Sequence, residues 1–310
     1  MDISVIIPVY NEELNIDLLF NRLTNVMLAL GVKYELIFVN DGSKDNSIHL
    51  VKKLAAQHQT VRYIDLSRNF GHQVAVSAGI DKAIGNAVVI IDADLQDPPE
   101  LIHQLYAKMQ EGYDVVYAKR NSRKGESLLK LLTARLFYRI LSSITSVSIP
   151  VDTGDFRIIS RRVVEALKQM PETNKYLRGQ IAWIGYEQTF VSYNREERNA
   201  GKTGYTYRKM FKLALDGITA FSNFPIKLVT FMGFFVSAIA FVMILVSFYI
   251  KYFTNLNTVQ GWTSLMVGLM FFGGVQLISL GIIGEYISRI NTDVRKRPLY
   301  LVKESNIEQE

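Results

Sequence analysis

Apolar runs of strand length alternate with amphipathic stretches over the N-terminal part of the chain. Residues 3–9 are almost continuously apolar, which is typical of a strand buried on both faces. The leucines of residues 14–23 recur at helical spacing and predict an amphipathic helix, which Asn11 is expected to cap. The predicted strands are Ile3–Val9, Glu35–Asn40, Val61–Ser67, Ala87–Asp92 and Tyr113–Ala118. This alternation predicts an α/β fold with a doubly wound, mainly parallel sheet.

Two uncharged apolar runs near the C-terminus predict membrane-spanning helices. They comprise residues 228–250 and 262–284, and each is about 23 residues long, enough for a helix to cross about 30 Å of hydrocarbon. The alternative is a buried helical hairpin of a soluble protein, which this length disfavours. Lysines and arginines are concentrated outside the pair, so the positive-inside rule places both termini in the cytoplasm. The sequence therefore predicts a multi-pass protein of the inner (plasma) membrane.

The segments next to these runs differ in character. Residues 201–226 mix basic and apolar side chains and predict a juxtamembrane amphipathic segment on the membrane surface. The alternative for this segment is ordinary packing against the sheet or another subunit. Residues 286–310 form a cytoplasmic tail, whose polar end from Lys303 is expected to be frayed.

The net charge of the chain limits the classes of molecule that it is expected to bind. Its 310 residues include 35 Lys+Arg and 29 Asp+Glu, for a formal net charge of +6. This mild basic excess suits anionic lipids or phosphates better than a nucleic-acid groove, so no nucleic-acid partner is expected. The absence of cysteine excludes disulfides and thiolate metal sites.

Polar residues follow each predicted strand, at the edge where ligands bind in open parallel sheets. Each polar segment alone is ordinary loop chemistry, but several on one edge indicate a site. His72 is the one histidine of the four in the chain that falls on this edge. Because the chain has no Gly-rich phosphate loop of the Walker or dinucleotide type, phosphates have to be neutralised by a metal and basic side chains. The polar segments are residues 8–12, 40–43, 68–72, 92–94 and 119–120.

The turn after the fourth predicted strand carries the most specific signal. Asp92 and Asp94 stand one residue apart, and Gln96 follows two residues later. Because the backbone bends where the strand ends, these three side chains can converge on one hard cation, Mg²⁺ or Mn²⁺. A metal held by few protein oxygens, with phosphates completing its shell, suits nucleotide-diphosphate chemistry. The alternative is a solvated acidic turn.

Taken together, these motifs resemble the inverting family-2 glycosyltransferases, in the branch that moves a sugar from a nucleotide to a polyprenyl phosphate. Dolichol-phosphate mannose synthases and bacterial undecaprenyl-phosphate glucosyltransferases belong to this branch, and the two predicted spans resemble the bacterial group. The resemblance covers residues 1 to about 225 and implies a GT-A type fold. The matching stretches are Val5–Glu12, Val39–Ser43, Arg68–Gln73, Asp92–Glu100 and Asp152–Arg157.

The resemblance implies roles for single residues. Asp94 and Asp155 are implied to be catalytic, with Asp155 facing the sugar and the acceptor. The residues implied to bind the donor are Pro8, Tyr10, Glu12, Asp41 and Asp92. Those implied to hold the metal are Asp92, Asp94 and Gln96. Those implied to contact the acceptor phosphate are Arg120, Arg135, Arg198 and Lys202.

One motif departs from the family pattern. The family often reads Arg-x-x-Gly-x-Ser-Lys-Tyr before its membrane segment, whereas this chain has Gly204 at the position of the lysine. Lys202 stands two residues earlier. Which basic group of this loop covers the phosphates, Arg198 or Lys202, therefore stays open.

As a whole, the resemblance implies a metal-dependent enzyme that transfers a hexose, glucose first, from a UDP-sugar to undecaprenyl phosphate with inversion. A modified arabinose or a mannose-type donor stays open. The family precedent suggests a homotetramer bound to the lipid bilayer. The implied domains are a cytoplasmic catalytic domain (1–200), the amphipathic segment (201–226), two membrane helices (227–285) and the tail (286–310).

Two other functions are weighed against this one. A processive polysaccharide synthase shares the nucleotide-binding domain, but residues 180–183 lack the arginine of the Gln-x-x-Arg-Trp signature, and two spans are too few for a polymer channel. A non-catalytic membrane scaffold is disfavoured because Asp92 and Asp94 are intact. For the transfer itself, a phosphate monoester with a second pKa near 6 is largely dianionic at pH 7. Asp155 is therefore interpreted first as an orienter of substrate and second as a base.

Overall fold

The computed structural model describes residues 1–121, 153–194, 224–253 and 261–307. The strands of this part of the chain are β1 (Ile3–Val9), β2 (Tyr34–Asn40), β3 (Val61–Leu66), β4 (Ala87–Ile90), β5 (Val115–Arg120), β6 (Thr153–Ser160), β7 (Gln188–Tyr193) and β8 (Val302–Ser305). Its helices are α1 (Ile16–Leu30), α2 (Ser47–Gln57), α3 (His72–Lys82), α4 (Ile102–Gln110), α5 (Arg161–Lys168), α6 (Leu177–Ile184), α7 (Phe224–Phe253) and α8 (Trp262–Val294). A short 3₁₀ turn, Pro99–Leu101, precedes α4.

The strands form one sheet in the order β7-β5-β6-β4-β1-β2-β3-β8. β1 lies between β2 and β4, and these pairs are parallel, as are β2–β3 and β5–β7. β6 is antiparallel to both β4 and β5, and β8 is antiparallel to β3. The prediction of an α/β fold with a mainly parallel sheet is confirmed. All five predicted strands are present, with ends that differ from expectation by at most two residues.

Helices cover both faces of the sheet because successive strand side chains point to opposite faces. α1, α2 and α4 pack on one face, through side chains such as Leu19, Val51 and Leu105. α3, α5 and α6 pack on the other face, through side chains such as Val76, Val163 and Ile181. The carboxyl ends of the parallel strands β1 to β5 meet at one edge of the sheet, which is open as far as the described residues show.

The first helix begins later than expected. Asn11 has a φ of +56°, and its Oδ1 accepts a hydrogen bond from Lys44 N at 2.7 Å. α1 begins only at Ile16, after Asn15, which makes no side-chain capping bond. The prediction that Asn11 caps α1 is therefore wrong, because the loop after β2 engages its side chain.

The predicted membrane spans fall on the long helices α7 and α8, which contact each other. Among the side chains that are described, Phe271–Val294 is the stretch long and apolar enough to cross a membrane, by length and composition alone. Pro225–Val236 is apolar but shorter. A membrane hairpin of two spans therefore stays a prediction.

Residues 303–307 of the polar tail pair with the sheet or pack against it, contrary to expectation. β8 pairs with the edge strand β3, and Asn306 Oδ1 accepts a hydrogen bond from Tyr63 N at 2.7 Å. Tyr300 Oη donates to Asp81 at 2.9 Å. The prediction of a frayed tail is wrong for residues 303–307, because β3 without β8 would have unpaired backbone groups, which a polar segment can satisfy as well as an apolar one.

Candidate active site

Hydrogen bonds join the loop after β1 to the loop after β2. Asn11 N donates to Ser43 Oγ at 3.0 Å, and Glu12 N donates to Ser47 Oγ at 3.0 Å. Pro8 is buried in β1, while Tyr10 is exposed at its end. Two of the residues predicted to bind the donor, Tyr10 and Glu12, are thereby held on the open edge of the sheet beside the loop that carries Asp41.

Asp41 links the loop after β2 to the loop after β3. Its two carboxylate oxygens accept hydrogen bonds from Phe70 N at 2.7 Å and Gly71 N at 3.0 Å. Burial raises the pKa of Asp41, although these two bonds partly offset the effect. Asp41 therefore has a structural task in this loop, and its predicted contact with the nucleotide base stays a prediction.

The turn after β4 alternates accessible and buried residues. Asp92, Asp94 and Gln96 are partly accessible. Residues 93, 95 and 97, which alternate with them, are buried. Leu95 has a φ of +60°, and Gln96 N donates to Asp94 Oδ1 at 3.2 Å. The three predicted metal ligands therefore share the open side of the turn.

The electrostatics of this turn favour a cation. Burial, followed by the charges of Asp155, Asp97 and Asp94, raises the pKa of Asp92 to about 6, although His72 acts in the opposite direction. Asp92 Oδ1 is buried and accepts no hydrogen bond from the residues that the structure describes. Within the described residues, no cluster of three or more His, Cys, Asp or Glu side chains is arranged to hold a metal ion by itself. The predicted set of two carboxylates and one amide fits a cation whose shell is completed by phosphate oxygens.

Three cationic side chains surround Asp155 on β6. Its Oδ1 accepts hydrogen bonds from Arg157 Nη2 at 3.1 Å and from Arg178 Nε at 3.0 Å. Its Oδ2 lies 3.2 Å from His72 Nε2. Burial alone would raise the pKa of Asp155, but Arg178, His72 and Arg157 together hold it well below its ordinary value. Asp155 is therefore an oriented carboxylate and a weak base.

His72, the first residue of α3, lies between Asp155 and the turn after β4. This turn, residues 92–97, is the acidic turn. His72 Nε2 is 3.6 Å from Asp92 Oδ1 as well as 3.2 Å from Asp155 Oδ2. Burial lowers the pKa of His72, but the two carboxylates outweigh burial and raise it to about 9. An imidazolium thus connects the predicted metal side of the site to the predicted acceptor side.

Arg120, the last residue of β5, is anchored by two buried side chains. Its Nε donates to Tyr193 Oη at 3.2 Å, and its Nη2 lies 3.5 Å from Asp97 Oδ1. Tyr193 Oη in turn donates to Asp97 Oδ1. Arg120 also lies against Gly154, where an added Cβ would come within 2.9 Å of Nη2.

The sequence predicted part of this arrangement. The structure brings Asp92, Asp94, Gln96, Arg120 and Asp155 to one edge of the sheet. Arg135, Arg198, Lys202 and the segment 201–226 lie outside the described residues. Sequence reasoning assigned no role to Asp97, Arg157, Arg178 or Tyr193, although Asp97 and Arg157 stand inside matching motifs.

Comparison with known proteins connects this geometry to a family. The sequence profile described as Glycosyl transferase family 2 matches residues 4–168. The "Uncharacterized glycosyltransferase YkcC" of Bacillus subtilis (strain 168) is 50% identical over 302 residues, which cover 97% of this chain and 93% of the relative. The "SfII prophage-derived bactoprenol glucosyl transferase" of Shigella flexneri is 41% identical over 310 residues, which cover 99% of each chain.

Solved structures overlap with the chain more loosely. The glucosyl-3-phosphoglycerate synthase from Mycobacterium tuberculosis in complex with uridine-diphosphate has a TM-score of 0.47 and 19% sequence identity. The overlap covers 70% of this chain and 78% of that chain.

Proposed function

The chain belongs to glycosyl transferase family 2, and we propose that it transfers glucose from UDP-glucose to a polyprenyl phosphate at the cytoplasmic face of a membrane. The observation that carries this proposal is the division of charge at the open edge of the sheet. The accessible carboxylates Asp92 and Asp94 stand in the turn after β4. Arg157 and Arg178 contact Asp155, and Arg120 lies against the preceding residue, Gly154. This division suits two phosphorylated substrates that have to approach each other without repulsion.

The choice of substrates follows relatives that span the whole chain. A bactoprenol glucosyl transferase at 41% identity favours glucose as the sugar and a polyprenyl phosphate as the acceptor. The same likeness disfavours a modified arabinose or mannose-type donor, a processive polysaccharide synthase and a non-catalytic scaffold.

Metal binding is assigned to the acidic turn. Asp92, Asp94 and Gln96 would hold Mg²⁺ or Mn²⁺, which when bound supplies positive charge against the donor diphosphate. The raised pKa of Asp92 and its buried, unbonded Oδ1 support this assignment. Tyr10, Glu12 and Asp41 are proposed to hold the uridine end of the donor.

The reaction is a single displacement at the anomeric carbon. An oxygen of the lipid phosphate forms the new bond to carbon as the bond to the diphosphate oxygen breaks, and UDP leaves with the electron pair. Attack opposite the leaving group inverts the configuration. The lipid phosphate is largely dianionic at pH 7, so little proton removal is needed. Asp155, held as a carboxylate by three cations, orients the sugar and acceptor.

The acceptor phosphate needs cationic partners of its own. Arg120 is the candidate within the described residues, and Arg135, Arg198 and Lys202 are proposed to add to it. A guanidinium group pairs with a phosphate through two hydrogen bonds. This pairing orients the attacking oxygen and offsets the negative charge of the phosphate.

Membrane attachment is proposed to be a two-span hairpin of α7 and α8, with both termini in the cytoplasm. Phe271–Val294 supports one crossing by its length. α8 also reaches the catalytic domain, because Thr173 N donates to Asp293 Oδ1 at 3.0 Å. Lipid phosphate would thereby be presented close to the sheet edge. A homotetramer is proposed on the family precedent.

The decisive experiment offers the purified protein several UDP-sugars with undecaprenyl phosphate and Mg²⁺. Mass spectrometry of the extracted lipid is expected to find a single glucose on the phosphate. Asp94→Asn serves as the inactive control. A product bearing another sugar would overturn the assignment of glucose, and a polymer would favour the synthase alternative. Absence of any glycolipid with every donor would overturn the proposed function.

A further inference from the structure

We propose that Asp97 and Tyr193 are positioning residues that aim Arg120 at the phosphate of the lipid acceptor. This inference rests on the proposed function, because it takes Arg120 as an acceptor contact. It adds that the acidic turn serves both substrates: its accessible carboxylates face the donor, while its buried carboxylate orders the acceptor side.

The three side chains form a closed triangle. Tyr193 Oη donates to Asp97 Oδ1, Arg120 Nε donates to Tyr193 Oη at 3.2 Å, and Arg120 Nη2 lies 3.5 Å from Asp97 Oδ1. The Asp97 side chain has no exposed surface, whereas the Arg120 side chain keeps 24% of its surface exposed. Arg120 is therefore fixed at its buried side and accessible at the other.

A triangle of this kind matters because a free arginine side chain has many rotamers. A phosphate that binds such a side chain has to order it first, which weakens binding. Because Nε and Nη2 of Arg120 are both held, the position and the plane of the guanidinium are fixed. The orientation of this plane decides whether two N–H groups of the guanidinium can reach one phosphate.

Gly154 lets this guanidinium reach the backbone of β6 one residue before Asp155. The absence of a side chain at Gly154 lets Arg120 lie against the backbone of β6, since a Cβ there would come within 2.9 Å of Nη2. Asp155 is the next residue along the same strand, and its side chain leaves β6 on the opposite face, toward His72 and Arg178. A phosphate bound by Arg120 would therefore reach Asp155 only around the end of β6, at the rim of the sheet.

A purely structural role is the competing explanation, in which Arg120 serves only to neutralise buried Asp97. The two explanations differ in what they change. A structural role alters thermal stability and both substrates together. A positioning role alters the KM for the lipid and leaves the KM for UDP-glucose unchanged.

Tyr193→Phe in the full-length protein is the sharpest test, because it removes one hydroxyl and keeps the ring. The KM for undecaprenyl phosphate is expected to rise about three- to tenfold, the range produced by loss of an ordinary hydrogen bond. The KM for UDP-glucose is expected to stay within about twofold on the same reasoning. Tyr300→Phe is the matched control, since it also removes a tyrosine hydroxyl that donates to an aspartate, far from the site.

Two further variants approach Arg120 from other sides. Gly154→Ala pushes its guanidinium without removing either anchor, and is expected to raise the same KM. Arg120→Lys keeps the charge but loses the planar fork, and is expected to raise that KM at least as much as Tyr193→Phe.

The outcomes separate this inference from the proposed function. If Arg120→Lys raises the lipid KM but Tyr193→Phe and Gly154→Ala do not, the inference is overturned while the proposed function stands. If Tyr193→Phe raises both KM values equally, its role is structural and the inference is likewise overturned. If the wild-type protein forms no glycolipid, the proposed function fails and the inference fails with it.

Discussion

At the level of single residues, two aspartates of the site show how surroundings separate identical side chains. Asp92 is partly accessible but its Oδ1 is buried, and loss of water together with three neighbouring carboxylates raises its pKa to about 6. Asp155 is also largely removed from water, yet Arg178, His72 and Arg157 hold its pKa well below the ordinary value. Burial opposes ionisation in both, so the sign of the neighbouring charge decides the difference. One aspartate is suited to receive a cation and the other to stay charged.

The depressed pKa of Asp155 leads to a prediction about pH. Because Asp155 is ionised throughout the assay range, Asp155→Asn should lower kcat by about 10- to 100-fold, the scale of a misplaced substrate, at every pH from about 6.5 to 9. Initial rates with both substrates saturating measure this. Asp114→Asn is the control, since Asp114 is a buried aspartate paired with Arg162 outside the site. Full recovery of the lost rate at high pH would instead identify Asp155 as a base.

The raised pKa of Asp92 leads to a prediction that metal binding, unlike the effect of Asp155→Asn, depends on pH. A carboxyl with a pKa of about 6 is protonated below that pH, and a protonated carboxyl is a poor ligand. Mn²⁺ affinity should therefore change little between pH 7 and 8, where His72 keeps its charge, and fall about tenfold per pH unit below pH 6, by competition with one proton. Electron paramagnetic resonance of free Mn²⁺ measures it. An affinity that does not change between pH 5 and 7.5 would contradict the assignment of Asp92.

At the level of elements, periodicity predicted the first five strands, β1 to β5, but not the later ones. Ile3–Val9 and its neighbours are apolar enough to be recognised alone. β6 carries Asp155 and Arg157 within its length, and β8 is mostly polar. Their pairing depends on distant partners, β4 and β5 for β6 and β3 for β8. Local sequence holds no signal for such partners.

Contacts between residues far apart in the sequence also limit how much of the site the sequence predicts. Asp92, Asp94 and Gln96 stand in one motif, so their convergence could be read from spacing. Arg178 reaches Asp155 from α6, and Tyr193 reaches Asp97 from β7. Gln73 Oε1 accepts a hydrogen bond from Leu177 N at 3.2 Å, which fixes the start of α6 against α3. Only the packed sheet and helices bring these residues together.

The contact between the loops after β2 and β3 gives a prediction at this scale. Gly42 has a φ of +67°, and a Cβ there would lie 2.5 Å from backbone atoms of Arg68 and Asn69. Gly31 has a similar φ of +65°, with nothing within 4 Å. Gly31→Ala should therefore cost about 1 kcal/mol for the backbone conformation alone. Gly42→Ala should cost about 1–3 kcal/mol more, because the loops have to separate.

Thermal unfolding of both glycine variants in detergent measures the difference. Donor binding should weaken in Gly42→Ala as well, since Asp41 could no longer hold Phe70 and Gly71 in place. Equal losses of stability in the two variants would show that the loops do not press together at Gly42.

At the level of the whole molecule, the tail ties the end of α8 to the far edge of the sheet. Deletion of residues 299–310 should raise amide hydrogen exchange in β3, whose edge β8 covers, and leave β5 unchanged. Exchange detected by mass spectrometry reports both strands in one experiment. Unchanged exchange in β3 would show that β8 is not paired there.

This tail also restricts the proposed membrane topology. β7 and β8 belong to one sheet, so any crossings of a bilayer between Tyr193 and Val302 must be even in number. Phe271–Val294 can cross once by its length. If it does, a second crossing is required in the same interval, and α7 is the helix available for it among the described residues. This argument supports the two-span arrangement independently of the distribution of charge.

The absence of cysteine allows a direct test of this topology. Single cysteines are introduced at Lys53 in the catalytic domain, at Thr258 between the two helices and at Lys303 in β8. A membrane-impermeant maleimide should label Thr258→Cys in intact cells, and the other two only after the membrane is opened. Labelling of Lys303→Cys in intact cells would separate β8 from the cytoplasmic sheet, and protection of Thr258→Cys would exclude the hairpin. The cysteine-free parent chain controls for background label, because each of the three variants differs from it by one thiol alone.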